Sequence, residues 1–265
     1  MKQSIILAAV LFFIGCQEKN SDTLTKIPTG TKEITLEEIW DGTFSTERMN
    51  ALNSMNGDFY SLLNRDDNGN TTVDKYSYST LEKVETIVSS ENLKELDGFS
   101  SYAFNDDETK LILGTDFKKI YRRSYSGTFY AYDIASKTLS LIGKNIQEPL
   151  FSPDNKKVAY AKNNNIYIKD FSRNTNRKIT RDGQKNSIIN GITDWVYEEE
   201  FGFVRAFEWS KNSNYLAFLR FDESNVPTFS MDMVGSELYP NQQVFKYPKA
   251  GEKNAEVTLH MYTLA

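Results

Sequence analysis

The sequence predicts an all-β chain that forms part of a β-propeller, and three observations carry that prediction. Short apolar strands alternate with polar turns along most of the 265 residues. Aromatic residues make up 13% of the chain, led by 17 Phe and 15 Tyr, and such side chains suit the half-buried surface of a sheet. A unit of aromatic residue, polar turn and apolar strand recurs three times. Units of about four strands, repeated every forty to fifty residues, mark propeller blades.

From the N-terminus, Met1-Lys2 supplies a positive start, and Ile5 to Ile14 is an apolar run too short to span a bilayer. It ends at Gly15-Cys16, which holds the chain's single cysteine. The pattern resembles a bacterial lipoprotein signal, with Phe13 where such signals most often carry Leu. Residues 1–16 are therefore expected to be a signal peptide, with Cys16 left as the lipidated N-terminus after cleavage. Residues 17–32 are polar and read as a tether. The expected location is outside the cytoplasm, anchored in a membrane of the bacterial periplasm or cell surface. A single cysteine allows no intramolecular disulfide.

The blades follow. Leu62 to Asp74 and Lys75 to Val88 read as an early, less regular blade. The three clear copies of the repeat are Phe104 to Leu113, Phe151 to Tyr160 and Trp209 to Phe218. Their turns use Asn, Asp, Ser and Pro, which satisfy tight-turn geometry locally. Further strands are expected over Thr128 to Ile134, Thr138 to Ile142, Asn165 to Phe171 and Arg177 to Thr180. The copies start 47 and then 58 residues apart, so the second interval carries an insertion. Val257 to Ala265 reads as a strand with nothing after it. The expectation is about three to four blades of an unfinished propeller, with a short helical insertion.

Composition excludes several functions. The net charge is −5, and the basic doublets Lys118-Lys119, Arg122-Arg123 and Lys156-Lys157 are scattered among acids. A nucleic-acid binder needs a clustered basic surface, so no nucleic-acid partner is expected. No Cys/His cluster has metal-ligand spacing and no Gly-rich phosphate loop occurs, so neither a metal nor a cofactor is expected. The chain contains no Gly-x-Ser-x-Gly elbow, and its single histidine, His260, lies in the last strand pattern. No catalytic residue is expected within the chain.

The insertion holds the sharpest local signal, Asn190-Gly191-Ile192-Thr193-Asp194-Trp195-Val196-Tyr197-Glu198-Glu199-Glu200. Thr193 or Asp194 can cap a short helix whose first turns are acidic. Three consecutive carboxylates repel one another and favour a cationic partner; on chemistry alone they could equally form a solvated acidic face.

This stretch resembles the double-glutamate motif of the dipeptidyl peptidase IV family. By that resemblance Glu199 and Glu200 bind the free N-terminal ammonium of a peptide substrate, and Glu198 matters much less. Tyr121-Arg122-Arg123-Ser124-Tyr125 is similar to the family segment whose arginine contacts substrate carbonyls. Position assigns that role to Arg122 rather than to Arg123. Val244 to Asn254 resembles the family's Tyr-Pro-Lys-Ala-Gly segment, here read as a turn built on Pro248 and Gly251.

The resemblance implies an eight-bladed propeller followed by an α/β-hydrolase domain that supplies Ser, Asp and His. Residues 33–265 would then be the N-terminal part of the propeller, with the hydrolase domain absent. It also implies an intact protein that releases X-Pro or X-Ala dipeptides as a homodimer. The alternative is a non-catalytic exported propeller that binds peptides or a protein partner.

Overall fold

A computed structural model of the chain describes residues 32–46 and 50–264. The expected signal, Cys16 and the tether up to residue 31 lie outside the described residues. The chain divides into two compact units, Met1–Met49 and Asn50–Ala265. The first contains α1 (Leu36–Trp40), started by a reciprocal cap. The Thr35 hydroxyl accepts the Glu38 N–H, and the Glu38 carboxylate accepts the Thr35 N–H.

The second unit is the propeller segment. β1 (Leu52–Met55), β2 (Phe59–Arg65), β3 (Thr71–Ser77) and β4 (Lys83–Ser89) pair in sequential antiparallel order. A seven-stranded sheet follows, from β5 (Ser101–Phe104), β6 (Lys110–Lys119) and β7 (Tyr125–Asp133) through β8 (Thr138–Phe151) to β9 (Lys157–Lys162), β10 (Asn165–Asp170) and β11 (Thr175–Lys178). The first part of β8 pairs with β7 and the last part with β9. One strand of 14 residues therefore closes one blade and opens the next.

The fourth blade centres on one long strand. β12 (Ile188–Asn190) leads into α2 (Trp195–Phe201), and β13 (Phe207–Trp209) follows it. Both strands pair with β14 (Tyr215–Asp222). A hairpin of β15 (Thr228–Met233) and β16 (Asn241–Lys246) leaves the blade before β17 (Glu256–Thr263) returns to pair with β14. The helical insertion expected from the 58-residue interval is α2.

The three repeat turns share one hydrogen-bond pattern, which accounts for their sequence. The side chains of Asn105, Ser152 and Ser210 accept the N–H of the residue five positions on, at 2.8, 3.0 and 2.9 Å. Each also donates to an acceptor two positions on, namely Asp107, Asp154 and Asn212. The fourth turn residue, Glu108, Asn155 or Ser213, takes positive φ, between 56° and 60°. That residue also reaches a neighbouring turn. Asn155 donates to the Asp107 carboxylate at 2.7 Å, and the Ser213 hydroxyl accepts the Asp154 N–H at 3.0 Å. Thus one tetrad closes its own turn and ties consecutive blades.

The core lies between blades. Leu111 and Leu113 face the first blade with Val73, Val88 and Phe99, whereas Ile112 between them faces the third blade with Val158 and Tyr160. Ala159 points the other way, toward Phe207, Trp209 and Leu216. Alternate side chains of one strand thus fill two different layers, as period two requires. Burying a Leu, Val, Ile or Phe side chain contributes ~1.5–3 kcal/mol, so these layers supply most of the stabilisation.

Two boundaries differ from the sequence reading. The early blade starts at Leu52 rather than at Leu62, and within it Asp66 accepts the N–H groups of Asn68 and Asn70, and Gly69 at φ 88° completes a turn between β2 and β3. β8 runs well beyond Ile142, because pairing with β9 extends it to Phe151. At the Tyr-Pro-Lys-Ala-Gly segment, Gly251 has φ 87° and the Glu252 N–H bonds the Lys249 carbonyl, so a turn does form there.

Candidate functional site

The insertion is anchored before its helix begins. The Asn190 side chain is buried and donates to the Asn164 carbonyl and to Asp182. Thr193 clamps the two ends of the excursion. Its N–H bonds the Val204 carbonyl at 3.1 Å, and its hydroxyl donates to the Phe203 carbonyl at 3.1 Å. Ile189, Ile192, Ala206 and Phe221 form the apolar floor, and Tyr197 packs on it.

Asp194, rather than Thr193, is the N-cap of α2; its side chain accepts the Tyr197 N–H at 2.9 Å. Gly202 ends the helix in the left-handed region at φ 74°, as a C-terminal glycine does. Trp195 packs at a tilt against Phe245 and edge-on against Tyr247 at the root of the β15–β16 hairpin.

Successive residues on a helix point about 100° apart, so the three glutamates meet different surroundings. Glu198 points inward and is 1% exposed. The Glu199 side chain is largely covered, and Glu200 is exposed. Glu200 makes no ion pair or side-chain hydrogen bond among the described residues.

The second segment is the loop between β6 and β7. The Ile120 N–H bonds the Ser124 carbonyl at 3.0 Å, and the Tyr121 N–H bonds the Ser124 hydroxyl at 3.2 Å. This tight turn turns Arg122 outward. Arg122 Nε lies 2.9 Å from Glu199 Oε2, the arginine side chain being 71% exposed and the glutamate 13%. Two residues singled out separately in the sequence therefore meet. Arg123 does something else: its N–H and that of Ser124 donate to Glu198 Oε1 at 2.6 and 2.9 Å. Sequence reasoning missed this pairing of Glu198 with the loop; the partners are 75 residues apart and no local pattern signals them.

Behind the loop lies a cavity of about 210 Å³, lined by Tyr121, Ser124, Asp194, Trp195, Glu198 and Glu223 among others. Burial, reinforced by the nearby Asp194 charge, pushes the Glu223 carboxyl up to about 7 against the pull of Lys246. Burial also raises Asp194, opposed by its bond from the Tyr197 N–H. The Tyr121 hydroxyl is pushed up to about 12, by burial first and then by Glu223, Glu198 and Asp194. His260 lies on β17, where it stacks on Phe218 and its Nε2 is 2.8 Å from the Thr258 hydroxyl. Among the described residues, no group of three or more His, Cys, Asp or Glu is arranged to hold a metal ion.

A solved structure of similar fold is that of Porphyromonas gingivalis dipeptidyl peptidase 4. It superimposes with a TM-score of 0.80 at 39% identity, over 89% of this chain and 34% of that one. Human prolyl endopeptidase FAP is 34% identical over 233 residues, 86% of this chain and 30% of that protein. Dipeptidyl aminopeptidase B of Saccharomyces cerevisiae is 34% identical over 196 residues, 72% of this chain and 23% of that protein. The chain spans about a third or less of the length of the relatives it matches. Residues 105–265 match the model of the dipeptidyl peptidase IV (DPP IV) N-terminal region, which includes the Glu triplet, its helix and the arginine loop. This chain belongs to the dipeptidyl peptidase IV family and represents its N-terminal propeller region.

Proposed function

We propose that this chain is the substrate-recognising part of a serine exopeptidase that releases X-Pro or X-Ala dipeptides from peptide N-termini. The reading rests on one observation above all, the meeting of Arg122 and Glu199 at 2.9 Å across a helix and a loop distant in sequence. An N-terminal ammonium has three donors and no acceptor. Glu199 offers it the carboxylate oxygen that Arg122 leaves free, and Glu200 offers a carboxylate that has no partner among the described residues. Each such charge-assisted bond contributes ~1.5–3 kcal/mol. The bound cation also relieves the repulsion between adjacent carboxylates. The exposed remainder of the Arg122 guanidinium is then available to the substrate's carbonyl oxygens. Holding the ammonium at one end and a carbonyl at the other sets a fixed distance to the scissile bond, which restricts release to dipeptides. Acyl transfer itself belongs to a hydrolase region outside these 265 residues.

The test compares a chromogenic Gly-Pro substrate with its N-acetylated form in the intact protein. Cleavage of the free-amine substrate alone supports the reading. Peptide binding without turnover would instead favour a non-catalytic propeller.

Two further parts of the proposal concern location and assembly. Cys16, after its short apolar run, carries a lipid that anchors the exported protein to a bacterial membrane. The intact protein is a homodimer. The β15–β16 hairpin supports that assembly, because Met231, Met233 and Val244 on its strands and Val234, Leu238 and Tyr239 at its tip are exposed apolar surface.

A further inference from the structure

We infer that Glu198 is a positioning residue for Arg122, and that Arg123 completes the same latch. The inference rests on the reading of Arg122, Glu199 and Glu200 as the substrate-binding group. Glu198 does not face the position a substrate would take; it is 1% exposed and turned beneath the loop. A buried carboxylate is tolerated only when its lone pairs are satisfied. Here Oε1 takes two backbone donors, the N–H groups of Arg123 and Ser124, at 2.6 and 2.9 Å. Such bonds to an ionised acceptor are among the strongest a side chain makes.

The contact is returned. Arg123 Nε donates to the Glu198 carbonyl at 3.4 Å, and that carbonyl also accepts the Gly202 N–H at 3.2 Å. Arg123 therefore places its positive charge near the carboxyl end of α2, where a cation is favoured. A side chain of the helix holds the loop backbone, and a side chain of the loop holds the helix backbone.

The loop's other ties stop short of its tip. They run from Ile120 and Tyr121 to Ser124. Among the described residues, the only hydrogen bonds made by the backbone of Arg122 and Arg123 go to Glu198. What holds the backbone from which the Arg122 side chain reaches Glu199 is thus a carboxylate one residue before its own ion-pair partner. The three consecutive glutamates divide the work: Glu198 sets the loop, Glu199 meets its arginine, and Glu200 remains open.

The test is a double-mutant cycle on kcat/KM for a free-amine Gly-Pro substrate in the intact protein. Arg122→Ala and Glu198→Ala are each expected to cost about 10- to 100-fold, the scale of a misplacement near one ångström. The Arg122→Ala/Glu198→Ala pair is expected to be no worse than Arg122→Ala alone, because Glu198 acts through Arg122. Glu198→Gln, which keeps an acceptor oxygen, should recover most of the activity; Glu198→Asp, which draws the carboxylate back from the loop by one methylene, takes the place of Glu198→Ala in the cycle if that variant does not fold. Exchange of the Arg123 and Ser124 amides in Glu198→Ala, or in Glu198→Asp where it stands in, should accelerate while that of Tyr197 does not, and Glu198→Gln should keep exchange near the wild-type rate. Additive losses in the double mutant, or unchanged exchange at Arg123 and Ser124, would overturn the inference. An inert Arg122→Ala would overturn the substrate-site reading itself, which separates the two failures.

Discussion

Arg122 Nε and Glu199 Oε2 lie 2.9 Å apart, with the arginine largely in solvent and the glutamate largely covered. An ion pair open to water on one side adds little stability, ~0–1 kcal/mol. Its purpose is therefore better sought in binding, and stability and activity should separate. Glu199→Ala and Glu200→Ala are each expected to lower kcat/KM on free-amine dipeptide substrates by roughly 30- to 1,000-fold, or about 2–4 kcal/mol. The Tm of Glu199→Ala should move by no more than about 4 °C. On the N-acetylated substrate the variants should differ little from wild type. Parallel losses on both substrates would remove the ammonium-binding role.

Glu223 should make stability depend on pH near neutrality. Its carboxyl is 6% exposed as a residue and is pushed up from 4.5 to about 7 by burial and by Asp194. A carboxyl whose folded pKa is raised holds its proton more tightly in the fold. Its contribution is full below pH 4.5 and is lost as pH rises toward 7. Glu223→Gln imitates the protonated form at every pH. It should be more stable than wild type at pH 8 by roughly 1–3 kcal/mol, and the gain should vanish in acid. Urea unfolding midpoints at both pH values measure this. A pH-independent difference would show that the carboxyl is not the cause.

Gly191, second residue of the glutamate motif, has φ 76°, and a Cβ there would lie 2.6 and 2.7 Å from Cγ1 and Cδ1 of Ile166. Gly69 also has positive φ, at 88°, but nothing lies within 4 Å. Gly191→Ala combines backbone strain with overpacking and should cost about 2–4 kcal/mol, whereas Gly69→Ala should cost about 1 kcal/mol. Thermal or urea melts of the two variants provide the comparison. Similar losses at both sites would mean that Ile166 gives way more easily than a packed core side chain should.

Cys16→Ser should abolish lipid labelling and move the protein from the membrane to the soluble fraction of an expressing bacterium. Metabolic labelling with a fatty acid and fractionation test this directly. Retained label would rule out Cys16 as the anchor.

Features whose causes are local can be read along the chain. The three repeat turns are legible because Asn105, Ser152 and Ser210 close their own turns with bonds spanning two and five residues. The α2 helix is legible because its Asp194 cap and Gly202 terminator belong to the same short stretch. Glu199, Glu200 and Arg122 could be named because their motifs are long enough to be recognised in line. Tertiary structure alone decided which groups meet. It made β8 a strand shared by two blades, since pairing with β9 supplies bonds that no pattern within residues 138–151 reveals. It also separated three identical carboxylates into a buried clamp, a covered partner and an exposed acceptor. The reason is geometric: the 100° step of a helix turned each toward a different neighbour, and the neighbour that buries Glu198 comes from a loop 75 residues away.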